Sequence, residues 1–249
     1  MTVSYSIFKG GTGKTTSVVS TAAALAKKGK RVLVVDLDQQ ASASRYLGID
    51  PDQGPTMTEV FMGKPAALVR RHTPFNIDIL PASGTLAALE QMLEPTDLGK
   101  VSGFLTALKP DYDFILIDTP PGKAKLTFNG LVAADVVIIP SASERMAVDG
   151  VADLISHLQK AIWPKFALEH QEVRILFTMY RANTSHSPAI AESARRIWRD
   201  NVLPIQIPHL TAFARSYDEK KPLPFSEPQH PGAIAYGALA DWLIAYEAA

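Results

Sequence analysis

The sequence predicts an α/β fold, with a mostly parallel, doubly wound sheet and helices on both faces, as one domain over residues 1–249. Three observations carry that expectation. Short apolar, β-branched runs recur along the chain. They are near-continuous rather than alternating, the pattern of strands buried on both faces. Helical stretches separate them, which calls for crossover connections and a parallel sheet. The right-handed crossover rule then puts helices on both faces.

The predicted strands are residues 3–8, 31–36, 77–81, 114–118, 136–140, 173–179 and 202–208. The first predicted helix, 15–28, is rich in Ala and Val and meets a stop signal at Gly29. Further helices are expected at 86–93, 99–108, 126–133, 147–161, 188–199 and 233–245. The proline-rich stretch 222–231 is short and fits a surface loop before the last helix. No Gly/Ser-rich linker or internal repeat divides the chain. Ligands of such sheets sit at the carboxyl ends of the strands. Asp36, Asp38, Asp118 and Pro140 end their runs there.

Composition bounds the function. The chain is 47% hydrophobic and 20% charged, ordinary for a globular protein with a real core. No apolar run is long enough for a membrane span. The first strand begins at once, leaving no room for a signal peptide, and a cytoplasmic location is the expectation. There is no cysteine, which excludes disulfides, thiolate zinc sites and cysteine-ligated clusters. Lys+Arg and Asp+Glu are both 25, so nucleic-acid binding would need a local patch.

The most informative segment is Lys9-Gly10-Gly11-Thr12-Gly13-Lys14-Thr15-Thr16. It sits between a strand and a helix and reads as a phosphate loop. Glycines let the backbone lie against phosphate oxygens. Its N–H groups then form an anion nest, and the following helix adds the positive end of its dipole. Lys14 is placed for the β- and γ-phosphates, and the Thr15 hydroxyl for Mg²⁺. The strict G-x-x-x-x-G-K-[ST] pattern fails because position 8 is Phe; the match is to the deviant K-G-G-x-G-K-[ST]. The simpler alternative is a glycine-rich turn with incidental lysines. A nucleoside triphosphate with Mg²⁺ is the ligand pair the loop leads one to expect.

Two acidic strand ends complete the set. Asp118 closes an apolar run and precedes Thr119-Pro120-Pro121-Gly122, the Walker B pattern, where a carboxylate holds Mg²⁺ through oxygen. Capping the next element is its simpler role. Asp38 lies just past the end of 31–36, where it could orient the attacking water and stand near the metal. Asp36 fits a supporting role within the loop as well as a direct one.

Together these segments resemble the ParA/MinD group of deviant Walker P-loop ATPases, and within it the ParA (Soj-like) branch. The resemblance runs from Val3 to about Tyr246. Leu37-Asp38-Gln39-Gln40 is similar to the branch's D-x-D-P-Q, and Asp118-Thr119-Pro120-Pro121 to its D-T-P-P. Ala134-Asp135 through Pro140, followed by Ala147 and Gly150, is similar to its A-D-x-x-x-x-P…A-x-x-G. Ile207-Pro208 with Thr211-Ala212-Phe213 resembles I-P-x-x-T-A-F, and Lys221-Pro222 and 232–236 also fit. Departures fall at Gln39, Ala41-Ser42, His209-Leu210 and residues 5–8. No helix-turn-helix segment precedes the loop, so the short form is expected.

The resemblance implies a weak ATPase that acts as a switch. ATP would drive a homodimer with the nucleotides at the interface, and Lys9 would reach the partner's phosphates. Nucleotide contacts would come from residues 9–16, Asp118 and Pro208. Lys9, Lys14 and Asp38 would serve hydrolysis, and Thr15, Asp38 and Asp118 the metal. The dimer would bind double-stranded DNA without sequence preference and associate with the nucleoid. A ParB-like or cargo-adaptor protein would stimulate hydrolysis, and the cargo would be a plasmid, a chromosome region or a protein organelle such as a carboxysome.

Candidate DNA contacts are Arg195, Arg196 and Arg199, on one helix face by i, i+1, i+4 spacing, then Arg215, Lys220 and Lys221. A solvated helix face is the plain alternative. His209 and Arg181 suit local hydrogen bonding or a place beside the nucleotide base. A MinD-type membrane switch would need a basic amphipathic C-terminal helix, but residues 241–249 hold two acids and no Lys or Arg. A metabolic ATP-dependent enzyme of this fold is the third reading.

Overall fold

The computed structural model describes residues 1–169 and 171–248, with the backbone alone at Arg145, Met146 and Ala147. The Ala147 side chain, which opens the A-x-x-G stretch, therefore lies outside those described.

The strands are β1 (Thr2–Tyr5), β2 (Val32–Asp36), β3 (Arg71–His72), β4 (Ile77–Leu80), β5 (Phe114–Asp118), β6 (Val136–Ala142), β7 (Glu172–Tyr180) and β8 (Val202–Pro208). Among the described residues they form one sheet in the order β3-β4-β2-β5-β1-β6-β7-β8. Every neighbouring pair is parallel except β3–β4. The helices are α1 (Lys14–Lys27), α2 (Ser42–Tyr46), α3 (Met57–Phe61), α4 (Leu86–Met92), α5 (Lys100–Thr106) and α6 (Lys125–Val132). Then follow α7 (Arg145–His157), α8 (Trp163–Phe166), α9 (His186–Trp198), α10 (Ala212–Asp218), α11 (Leu223–Ser226) and α12 (Pro231–Glu247).

Alternation within each strand sorts the core onto two faces. Val32 and Val34 join the cluster under α1 and α12, while Leu33 and Val35 join the one under α4 and α5. In β6, Val136 and Ile138 face the first cluster, and Val137 and Ile139 pack with α7 and α9. Both faces are apolar because both are covered, which is why the strands read as continuous runs. Each such fully buried Val, Leu or Ile contributes about 1.5–3 kcal/mol.

Several expectations change. β1 ends at Tyr5 and not at residue 8, because Phe8 leaves the sheet to pack edge-on against Phe128, centroids 6.2 Å apart. The expected helix 147–161 starts earlier, as α7, and passes through a π-helical turn, Leu158–Ile162. The stretch 222–231 is not simply a surface loop: Pro222, Leu223 and Pro224 are buried, and α11 packs on α1 and α12. Helix α9 stops at Trp198, and Arg199 turns out of it with φ +44°. The i, i+4 relation assumed between Arg195 and Arg199 therefore fails.

Candidate functional site

β1 delivers the loop 9–13 to the carboxyl edge at the middle of the sheet, between β5 and β6. Gly11 and Gly13 adopt φ +71° and +81°, the left-handed region that favours glycine. Gly13 is also the cap from which α1 starts, so the N-terminus of α1 opens onto the loop.

Strand β7 and the segment after β5 hold the loop and the residue that leads into it. Thr178 Oγ1, at the end of β7, donates to Thr12 O at 2.8 Å. Gly122 N–H donates to Phe8 O at 2.8 Å from the other side. The two lysines part company. Lys14 is buried, and its Nζ donates to Lys9 O at 3.3 Å. Lys9 is partly exposed, and its Nζ lies 3.9 Å from Glu144 Oε2. Burial draws the Lys14 ammonium below its usual range, opposed by the charges of Asp118 and Asp38.

The acids gather on the same edge. Asp36 and Asp118 are register partners on β2 and β5. Asp118 Oδ2 accepts from Thr15 Oγ1 at 2.7 Å, while its Oδ1 is buried without a hydrogen-bond partner among the described residues. Burial pushes the Asp118 carboxyl well above the usual range, and the nearby Asp36 adds to it. This set fits a magnesium ion: hard oxygen donors, a threonine hydroxyl touching a carboxylate, and one orphaned carboxylate oxygen. Asp38 is nearly buried, and its Oδ1 accepts from Gln40 N at 2.9 Å.

Asp36 takes the supporting role. It accepts from Asp38 N at 3.1 Å, Ser44 N at 2.9 Å and Ser44 Oγ at 2.8 Å. Those bonds tie the loop 37–41 to α2. Burial raises its carboxyl to about 6, against the pull of the Ser44 bonds.

Beside the loop, a cavity of about 120 Å³ is lined by Gly13, Thr16, Thr178, Pro208, His209 and Tyr236, among others. Pro208 thus meets Thr16 at one hollow. Gly130 of α6 packs against the Walker B loop. A Cβ there would sit 2.6 Å from Thr119 Cγ2. Thr119 cannot yield easily, since its Oγ1 donates to Tyr5 O at 2.8 Å. Gly130→Ala is therefore expected to destabilise the fold by about 1–3 kcal/mol, the usual size of overpacking. Urea unfolding checks this, and an unchanged midpoint would refute it.

The candidate DNA contacts are not gathered into one patch. Arg195, Arg196 and Arg199 precede the amino end of β8, whereas Arg215, Lys220 and Lys221 follow its carboxyl end. Arg196 pairs with Glu192 at 3.4 Å, and Arg215 pairs with Glu227. Lys220 and Lys221 are exposed on the turn after α10.

Sequence reasoning missed Thr178, Ser44 and Glu144. Thr178 stood at the carboxyl end of a predicted strand, which was the signal it offered. Ser44 and Glu144 carried none, because their partners lie across a loop or on another element.

Fold and loop define the class, a P-loop nucleotide-binding protein with a deviant Walker A segment. A family model described as an AAA domain matches residues 1–167. The chain is 34% identical over 240 residues to the sporulation initiation inhibitor protein Soj of Bacillus subtilis (strain 168), covering 93% of each. It is 35% identical over 244 residues to the chromosome-partitioning ATPase Soj of Thermus thermophilus, covering 95% of this chain and 92% of that one. A solved Mycobacterium smegmatis structure, named as cobyrinic acid a,c-diamide synthase with bound ADP and magnesium, is 30% identical. It superposes with a TM-score of 0.82 over 98% of this chain and 94% of that one. This chain belongs to the Soj/ParA family of ATPases.

Proposed function

We propose that the chain is an ATP-dependent dimerising switch that binds double-stranded DNA without sequence preference and partitions or positions a cargo. One observation supports the reading: Lys14 folds into its own loop, while the Lys9 ammonium is partly exposed, 3.9 Å from Glu144, and so would be free to meet a second copy. In this reading the loop N–H groups and Lys14 hold the phosphates, and the base enters the cavity beside Thr16 and Pro208. Thr15 and Asp118 would hold Mg²⁺, with Asp38 close by. A magnesium ion held there would supply positive charge toward the β- and γ-phosphates. Asp38 orients the attacking water. Lys9 supplies positive charge from the partner subunit, as donors aimed at developing charge do. A partner protein of the ParB or cargo-adaptor kind stimulates turnover. In the ATP state the dimer sits on the nucleoid, its duplicated basic surface strengthening attachment by avidity.

The test is a duplex mobility shift beside sedimentation, each with ADP and with ATP. Dimer and DNA complex should both require ATP; a monomer under all conditions would sink the reading. Asp38→Ala is expected to keep the ATP dimer while phosphate release falls about 100-fold or more, the scale of a missing proton-handling or water-positioning group. Normal release would assign the water elsewhere. On DNA, Lys220→Ala with Lys221→Ala should flatten the salt dependence by about one unit of slope for each phosphate no longer neutralised. The Arg195, Arg196 and Arg199 triple alanine variant should do less, since Arg196 is paired and Arg199 has left the helix.

One observation favours a metabolic enzyme, the name carried by the M. smegmatis structure. Screening for ATP-dependent product formation with small carboxylic acids separates that reading. For a membrane switch the structure offers little: α12 has no Lys or Arg and buries Tyr236, Leu239 and Leu243. Among the described residues no helix is long and apolar enough to cross a membrane.

A further inference from the structure

Helix α10 is touched from both ends of the nucleotide site. On one side, His209, Leu210 and Phe213 line the cavity beside Gly13 and Thr16, and α10 begins among them. On the other, Asp36 grips Ser44 at the start of α2 through two bonds, 2.8 and 2.9 Å. Two residues on, Tyr46 reaches α10. It is fully buried. Its hydroxyl hydrogen-bonds to Ser216 Oγ, and its ring meets Tyr217 edge-on with centroids 5.3 Å apart.

The two residues that Tyr46 touches are the two that hold the basic turn. Lys221 N–H donates to Ser216 O at 3.0 Å, and Lys220 N–H donates to Tyr217 O at 2.9 Å. Lys220 has φ +51°, a left-handed conformation that a lysine does not adopt for its own sake. The turn thus depends on those two carbonyls. The links run from Asp36 to Ser44, along the short helix α2 to Tyr46, from Tyr46 to Ser216 and Tyr217, and so to Lys221 and Lys220.

We infer that Tyr46 is a positioning residue that couples the loop after Asp36 to the Lys220–Lys221 turn, so that nucleotide state sets how that turn meets a polyanion. The inference rests on the switch reading above. The physical requirement is an interaction that differs between two states of the site, and the loop 37–41 beside the γ-phosphate position is where they would differ. A closely packed tyrosine passes a displacement on because its surroundings are dense and admit few arrangements.

Two conservative variants test it from opposite sides of the bond. Tyr46→Phe keeps the ring and removes the hydroxyl, and Ser216→Ala removes its partner. Amide hydrogen exchange over residues 212–221 is compared with Mg·ADP and with a magnesium complex of a non-hydrolysable ATP analogue. Duplex affinity is measured in the same two states. The wild-type chain should show nucleotide-dependent protection at 216–221. Both variants should keep analogue affinity and dimerisation but lose that difference. Their ATP-to-ADP ratio of DNA affinities should fall about 5-fold or more, the lower range of ordinary coupling between sites. Nucleotide-dependent exchange that persists in both variants would overturn the inference, as would wild-type exchange that ignores the nucleotide. A wild-type chain that binds no DNA, yet shows an exchange difference abolished by the variants, would keep the coupling and remove the DNA reading.

Discussion

Lys14→Ala loses ATP. The Lys14 ammonium is buried beneath the loop, where the charges of both Asp118 and Asp38 act upon it. Removing one partner of a buried, hydrogen-bonded charge pair costs about 2–5 kcal/mol, which is roughly 30- to 5,000-fold in Kd. Titration calorimetry or a fluorescent ATP analogue reads the loss directly. The fold should survive, since the aliphatic stem is the packing removed and the loop keeps its bonds from Thr178 and Gly122. Dimerisation and DNA binding should fail with nucleotide binding, at any analogue concentration that leaves the site empty. ATP affinity within a factor of about three of the wild type would refute the role assigned to Lys14, since that factor is below the smallest loss expected here.

Lys9→Ala behaves differently, and the contrast separates a cradle from a clamp. Lys9 is 36% exposed, and the one ion pair it makes among the described residues, at 3.9 Å, is with a Glu144 that is 68% exposed. Pairs of that kind contribute about 0–1 kcal/mol, so folding and ATP affinity should stay near wild type. What should go is the ATP-driven dimer, and with it hydrolysis. A positive group supplied from a partner subunit is worth about 10³–10⁵ in turnover in comparable phosphoryl-transfer sites. Sedimentation with a non-hydrolysable analogue and a phosphate-release assay check both halves. If the variant still dimerises and hydrolyses as before, Lys9 acts within its own subunit or not at all.

Much of this architecture is legible in the sequence, and the reasons are specific. β5 and β8 match their predicted bounds because each is an apolar run closed by a charge or a proline. Helix α1 is legible at both ends. Its start follows glycines, and its stop is Gly29 at φ +78°, with Lys30 N–H returning to Leu25 O at 3.1 Å. The positions of the glycine-rich loop, Asp38 and Asp118 are legible because local spacing puts them at or just past the ends of apolar runs.

The illegible parts share a cause. Strand β3 is two polar residues at a sheet edge, so it shows no apolar run. Helices α2, α3 and α11 are under two turns, too short for a 3.6-residue period to appear. One signal was present and missed: Thr56 and Glu59 form a capping box that announces α3. Pro222 and Pro224 suggest a loop, yet proline is welcome at a helix start, and the sheet's own helices bury the segment. The misjudged Arg199 has a like explanation. The chain must turn there to enter β8 at Val202, and a projection of helical spacing does not foresee where a helix ends.

Thr178 and Gly122 have one more consequence. They brace Thr12 and Phe8, within and just before the loop 9–13, from opposite flanks, so part of the order of its backbone is supplied by the chain's own bonds. Ordering a residue's backbone carries an entropic penalty of about 1–2 kcal/mol. A loop that met this penalty only on binding would give up much of its affinity to it. Here the fold's own bonds meet part of that penalty, and in the switch reading proposed above the free energy of gripping a triphosphate would be left for joining two subunits.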